Sequence, residues 1–409
     1  MSPSGRWFTI FLITLAILGC SKGRHDADGT LRIYSRLWTP LREQSFIRGE
    51  LERFYSESGI EAELILYTDG DMDRMLATGD LSDVDLVIPY GNRLSLWSEK
   101  VDFVDFHEYP DLFQDRTFLF ELLPPEKQSV WRNFLPIGAD VYLVIVSKNA
   151  ESLKPAGIEN AGLTWPDLAD WIRIVSREQG RGMLAVTGVP DKNLVYFLAG
   201  PVLSYGGGFP DLASGAAVDA LRMLQDMRRG FHPAVENFDS VIDPLVGGSA
   251  WFAFAHCAHV GFVLKEAPGR FNVYTAPSGP AGQGSVSGFS AIGIPARTGN
   301  RQDALSLVEY LTRPDVQIRI SKGVGGFIPT VLEAGEFLGN DALDTVIRYG
   351  LDVLHAGRTR DIPHEYGEWG NVKHVYETVF YSLILSDNEI SADSLRWAQT
   401  ELEKLKLSP

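Results

Sequence analysis

The sequence predicts an α/β protein built as two lobes, and three observations predict it. The chain has 409 residues, too many for one small domain and enough for two of ordinary size. Short apolar runs of strand length alternate with amphipathic runs of helix length, an order that gives a parallel sheet covered by helices on both faces. Two Gly-rich stretches, 277–287 and 323–330, interrupt that order late in the chain and read as crossings between one lobe and the other.

The elements follow from local signals. Residues 31–34 are a short apolar strand. Pro40 opens a helix in which Phe46, Leu51, Phe54 and Tyr55 recur at helical spacing through Ser58, and Gly59 stops it. Residues 62–67 are a second strand, 72–77 a short helix ended by Gly79, and 84–88 a third strand, apolar except for Asp85. Residues 93–100 are helical. Residues 135–146 form one strand region with Asp140 inside an apolar run. Thr164 caps a helix with Pro166 in its first turn and Leu168, Trp171, Ile172 and Val175 on one face. An apolar helix at 194–203 ends before Gly206-Gly207-Gly208, and an amphipathic helix at 216–229 ends at Gly230. Residues 250–254, 271–275 and 288–295 are strands. Residues 302–312 and 314–321 are helices, and 341–407 is almost all helical. On the strand at 250–254, Trp251 and Phe252 point to opposite faces, so one of them is core.

The first twenty residues are an address rather than fold. Arg6 is the only charge before position 22, and residues 7–18 are a nearly unbroken apolar run of about twelve. A membrane-spanning helix needs about 20 such residues. A charged start, a short apolar core and a small residue before a cut describe an export signal over residues 1–19. Its end, Leu15-Ala16-Ile17-Leu18-Gly19-Cys20, resembles a bacterial lipobox, with Ile17 and Leu18 where Leu and a small residue are usual. The resemblance implies cleavage before Cys20 and lipid attachment to it. Residues 20–30 are then a polar tether.

Composition excludes several classes. Apolar residues make 45% and charged residues 22%, values of a globular chain. Lys and Arg number 37 against 53 Asp and Glu, a net charge of −16 that repels phosphate backbones, so a nucleic-acid partner is not expected. Two cysteines, Cys20 and Cys257, allow neither a disulfide framework nor a Cys-rich metal module. After export Cys257 is the lone free thiol, and a buried place is expected for it.

The order of parts resembles the bacterial extracellular solute-binding proteins of family 1, the maltose-binding-protein-like receptors of ABC importers. The resemblance runs from about Leu31 to Leu405. It is carried by Leu31-Arg32-Ile33-Tyr34 with the helix end Phe54-Tyr55-Ser56-Glu57-Ser58-Gly59-Ile60, and by Thr78-Gly79-Asp80 with Asp83-Val84-Asp85-Leu86-Val87. It continues through the strand from Pro136 to Ser147-Lys148, the crossing Ala276-Pro277-Ser278-Gly279-Pro280, the helix pair with Asp315 and Gln317, and the crossing Gly325-Gly326-Phe327-Ile328-Pro329-Thr330. It implies a two-lobed periplasmic-binding-protein type II fold with a hinge and an interlobe ligand cleft. On this reading residues 31–140 and 278–330 form lobe 1, and residues 141–277 and 331–409 form lobe 2. The chain would be a non-catalytic monomeric receptor without metal or cofactor, exported and either lipid-anchored or periplasmic. It would hold a small-molecule ligand, expected to be a carbohydrate, and dock on ABC permease subunits. A sensor on the same scaffold, or a receptor for a non-sugar solute, is the alternative.

A sugar site wants flat aromatics for C–H faces and carboxylates or amides for hydroxyl edges. Carried over from the maltose-binding pattern, the resemblance implies ligand contacts at Trp38 after the first strand and at Asn92 and Arg93 after the third. It also implies contacts at Asp140 on the crossing strand, at Tyr196, and at Tyr366 and Trp369 in the last helical segment. The chain departs from the family at Ala255-His256-Cys257-Ala258-His259, where aromatics are usual. Read as a strand, this segment offers cleft-lining histidines, packed strand-end residues or a soft metal set. Other patterns carry no chemistry. His364-Glu365 lacks a second His at zincin spacing, residues 288–293 are not a Gly-x-Ser-x-Gly elbow, and residues 323–326 lack the Lys-Ser/Thr of a phosphate loop.

Overall fold

A computed structural model gives the fold and describes residues 29–119, 129–158, 162–356, 358–363, 365–366 and 369–406. The export signal, Cys20 and most of the tether lie outside the described residues.

The first lobe is built on a parallel sheet ordered β2-β1-β3, made of β1 (Leu31–Ser35), β2 (Ala62–Leu66) and β3 (Leu86–Ile88). The helix Leu41–Ser58 connects β1 to β2 and buries Ile47, Leu51 and Phe54. Gly59, at φ 73°, ends it by donating its N–H to Tyr55 O, a left-handed conformation that glycine adopts without Cβ strain. Val87 and Gly293 exchange both backbone hydrogen bonds at 2.9 Å, a bridge that sets the separate antiparallel pair β4 (Leu135–Asp140) and β11 (Gly288–Ile292) beside β3. The buried Asp85 is satisfied by Thr298 Oγ1 at 2.6 Å, Asn300 Nδ2 at 3.2 Å and Arg32 N at 3.0 Å, so it ties the loop after β11 to this lobe.

The second lobe holds a four-stranded sheet ordered β6-β7-β5-β8: β5 (Tyr142–Ser147), β6 (Leu184–Ala185), β7 (Phe252–His256) and β8 (Phe271–Tyr274). All six residues of β5 are buried, as a central strand covered on both faces requires. The helix Trp165–Glu178 starts with the expected Thr164 cap, which forms a capping box with Asp167. Its Trp165 and Trp171 are fully buried edge-on against Phe254 and Phe252, and Trp171 Nε1 donates to Ala150 O at 3.0 Å. Phe252 is the core residue of the Trp251–Phe252 pair.

Each lobe has its own apolar core. One takes residues between Leu31 and Ile137 and between Ala291 and Val331. The other takes residues from Ala139 to Ala276, then Ile328 and side chains from Val346 to Leu402. The chain passes between them at Val141, where β4 runs directly into β5, so the predicted strand 135–146 is two strands in two sheets. It passes again at Ser287, between β10 (Gly282–Val286) and β11. It passes a third time after Val331, and just before that Ile328 reaches the second core, its N–H and C=O both bonded to Ala139 at 2.8 Å. Residues 278–286, which include β9 (Ser278–Gly279) and which the sequence places in lobe 1, pack instead on the lobe 2 helix Leu194–Ser204. Gly284 permits this, because a Cβ there would lie 2.3 Å from Gly200 O. Val331, placed in lobe 2 from sequence, is part of the first core.

The C-terminal region supplies the helices Ala342–Ala356, Trp369–Val379 and Ala392–Lys404. It also supplies the short strand β12 (Arg358–Arg360), which pairs in parallel with β10 and has no apolar run to announce it.

Candidate functional site

Between the lobes lies a cavity of about 500 Å³, walled by both. Its first wall is the loop after β1. Ser35 Oγ accepts from Leu37 N at 3.0 Å and donates to Leu37 O at 2.9 Å, fixing the turn. Trp38 follows at φ 63°, a left-handed conformation that is costly for a bulky side chain and that sets the indole in the cavity wall. Trp38 is 3% exposed, and its Nε1 is buried with no hydrogen-bond partner among the described residues. The buried Tyr142 hydroxyl, at the start of β5, is likewise unpartnered among them, and Tyr142 also lines the cavity.

Asp140, the last residue of β4, sits at the first crossing. Its Oδ1 accepts from Gly288 N at 2.9 Å, and its Oδ2 is 3.4 Å from His256 Nε2. Gly288 is required there, since a Cβ would come within 2.7 Å of that carboxylate. His256 is not on a continuing strand, as the sequence suggested. β7 ends at His256, and Cys257 opens the helix Cys257–Glu266 with His256 as its cap, Nδ1 accepting from Ala258 N at 3.2 Å. The three soft residues therefore diverge. Cys257 is fully buried, His256 faces Asp140, and His259 lines the cavity one turn on. Among the described residues no three His, Cys, Asp or Glu side chains converge as a metal site would need.

The cavity is rich in acids. Glu43, Asp140 and Asp361 line it, no Lys or Arg among the described residues does, and the basic group on it is His256, which faces Asp140. Burial pushes the Glu43 carboxyl up to about 7, against the pull of His256 and Lys265. Burial also raises Asp361 to about 7; a hydrogen bond from Ile362 N opposes this and the nearby Asp140 charge adds to it. For His256 burial acts downward, but Asp140 and then Glu43 outweigh it and leave the imidazole above its ordinary value. Burial and His256 drive His259 down to about 4, so it is neutral at pH 7. Burial holds the Tyr142 and Tyr196 phenols well above their ordinary value, so both remain neutral hydroxyls.

Four of the residues expected from sequence, Trp38, Asn92, Asp140 and Tyr196, line this one cavity. Trp369 does not. It lies behind Tyr196, its ring 6.5 Å away at 15° and its Nε1 donating to Tyr196 Oη at 2.9 Å. Tyr366 is one layer further back, buried and edge-on to Trp369 at 6.1 Å. Arg93 follows Asn92 in a turn of 3₁₀ helix and is not among the lining residues. Sequence reasoning missed Glu43, Tyr90, Tyr142, Asn193, Phe289, Phe327 and Asp361. Phe327, within the second Gly-rich crossing, and Asn193, just before an apolar helix, had a positional signal. Asp361 had none.

Comparisons with known proteins fit this geometry. The family described as bacterial extracellular solute-binding protein matches residues 52–343. The chain belongs to that family. The spermidine/putrescine-binding periplasmic protein of Escherichia coli (strain K12) is 24% identical over 319 residues, 75% of this chain and 80% of that relative. Among solved structures, maltose-bound T. maritima MalE3 superposes with a TM-score of 0.70 at 19% identity, covering 92% of this chain and 99% of that one. The GacH receptor of Streptomyces glaucescens, solved unliganded and with acarbose, gives 0.70 at 16% identity, covering 93% and 99%. This solute-binding protein thus has the two-lobed fold of the maltose-type receptors, with its cavity in the interlobe position.

Proposed function

We propose that this solute-binding protein is the extracytoplasmic receptor of an ABC importer and that its ligand is a small carbohydrate. The observation that carries this reading is the composition of the cavity. Trp38, Tyr90, Tyr142, Tyr196, Phe289 and Phe327 offer aromatic faces, while Asn92, Asn193, Asp140 and Asp361 offer hydrogen-bonding edges. Binding between the lobes favours the closed arrangement, because the ligand then meets both walls at once. The closed form is the one a permease would recognise. Export and attachment through Cys20 would keep the receptor beside that permease, and Cys20→Ser is expected to move the protein from the detergent phase to the aqueous phase.

One observation favours a second reading. A cavity with three carboxyls and, among the described residues, no Lys or Arg would suit a solute that brings its own positive charge, and a protonated amine is such a group. The relative named for spermidine and putrescine supports that chemistry. Isothermal titration calorimetry with a panel of neutral mono- to trisaccharides, amino sugars and oligoamines tests both readings. Submicromolar binding of a neutral saccharide supports the first. Binding restricted to amines, and lost in Asp361→Asn, replaces it with the second. No binding to any member, with retained folding, refutes both.

A further inference from the structure

A second concavity lies at the far end of lobe 2. β7 runs from Phe252, which pairs with Leu184 of β6, to His256 at the cleft. Five strand residues span about 13 Å, so the segment leading into β6 sits well away from the solute cavity. There the end of helix Trp165–Glu178, the turn at 180–181 and the turn Arg228–Gly230 enclose about 860 Å³. Arg173, Arg177, Arg181, Arg228 and Arg229 ring it, against Asp170 and Asp226 alone among its lining acids.

The backbone forces this convergence. A Cβ at Gly182 would lie 1.8 Å from Phe231 O, and one at Gly230 would lie 2.5 Å from the Ile172 side chain. Two glycines therefore let the two turns and the helix touch, which brings Arg181 beside Arg228 and Arg229. Asp170 is taken by Arg173 at 2.9 Å, and Arg228 pairs with Asp387. Arg177, Arg181 and Arg229 have no acidic partner among the described residues. The charge of Arg181 reaches inward to His232, where it adds to burial in lowering the imidazole pKa. Asp226 is the remaining lining acid, so in a chain with 53 acidic and 37 basic side chains this concavity keeps an excess of guanidinium over carboxylate, a local positive field that favours an anion. Planar guanidinium forks fit phosphate oxygens in pairs, and several forks on one concave wall fit a tetrahedral group better than a flat carboxylate.

We propose that this pocket is a second binding site, which takes a phosphate-bearing group, either the headgroup of an anionic lipid or a free phosphate compound. The site shares no residue with the solute cavity, and the proposal is independent of which solute that cavity holds.

The test uses the full chain with Cys20→Ser, so that no lipid anchor contributes. Inorganic pyrophosphate is titrated by calorimetry at low ionic strength. Sedimentation with vesicles of phosphatidylcholine, with and without phosphatidylglycerol, is measured in parallel. Saturable pyrophosphate binding is expected, weakened about tenfold or more in Arg177→Gln/Arg181→Gln/Arg229→Gln. It should be unchanged in Arg48→Gln/Arg53→Gln, which removes exposed charge from lobe 1. Vesicle binding that needs phosphatidylglycerol and is lost in the triple variant assigns the site to a lipid headgroup. Pyrophosphate binding without vesicle binding assigns it to a free phosphate compound. A melting temperature close to that of the parent shows that the triple variant is folded. Absence of both kinds of binding, or equal losses in the triple and control variants, overturns the proposal.

Discussion

The pairing of Tyr196 with Trp369 makes the sharpest test of how the cleft is built. Trp369 Nε1 donates to Tyr196 Oη at 2.9 Å, and the rings stack at 6.5 Å, with Phe209 and Tyr366 edge-on to the indole at 5.7 and 6.1 Å. Tyr196→Phe removes one partner of a half-buried hydrogen bond, a net cost of about 1 kcal/mol. Trp369→Phe removes the other partner and part of the indole volume, for about 1–2 kcal/mol. Once one partner is gone the other has nothing left to lose, so the double variant should cost about 1 kcal/mol less than the sum. Urea denaturation of the unliganded chain, followed by circular dichroism, measures all four corners of the cycle. Additive losses would refute the reasoning that Trp369 acts by holding Tyr196. So would a Trp369→Phe chain with unchanged unliganded stability and weakened affinity, because Trp369 would then meet the ligand itself.

Three further outcomes are expected. The unliganded protein should melt at higher temperature at pH 5.5 than at pH 8. The folded chain binds protons at Glu43 and Asp361, both raised to about 7, over a range where the unfolded carboxyls, near 4.5 and 3.8, have lost theirs. His256, also raised, acts in the same direction, and its contribution is lost as pH rises through its folded value. His259, lowered to about 4, acts in the opposite direction as pH falls below 6.5. Asp361→Asn should raise the melting temperature at both pH values, and more at pH 8 than at pH 5.5, because the unfolded carboxyl is ionised at both while the folded one loses its proton only near 7; an equal shift at both would contradict the assignment. Gly261→Ala would place a Cβ 1.7 Å from Gly325 O, forcing helix Cys257–Glu266 off the Gly-rich stretch before the third crossing. A loss of about 3 kcal/mol or more is expected in urea unfolding, and a loss below about 1 kcal/mol would refute that close approach.

Much of the architecture was legible because it rests on local signals. Thr164 with Pro166 and Asp167 marks a capped helix whatever surrounds it, and two of the three crossings lie at Gly-rich stretches. Trp38, Asn92, Asp140 and Tyr196, which line the cavity, were expected from the resemblance to the maltose-binding pattern rather than from local signals. What the sequence did not determine depends on residues distant in the chain. His256 reads as a strand residue because the apolar run does not stop there. It becomes a helix cap because Cys257 N bonds Val141 O at 2.9 Å, across to the start of the neighbouring strand, and the chain turns. Trp369 has the spacing of a stacking residue, yet Tyr196, 173 positions earlier, stands between it and the cavity. Asp361 follows a strand of three residues with no apolar pattern, and it reaches the cleft only because that strand pairs with β10. Periodicity and capping act over a few residues and belong to the sequence. Which side chain reaches a cavity first, and which charges share it, is set by packing between segments hundreds of residues apart, and the tertiary structure alone decides it.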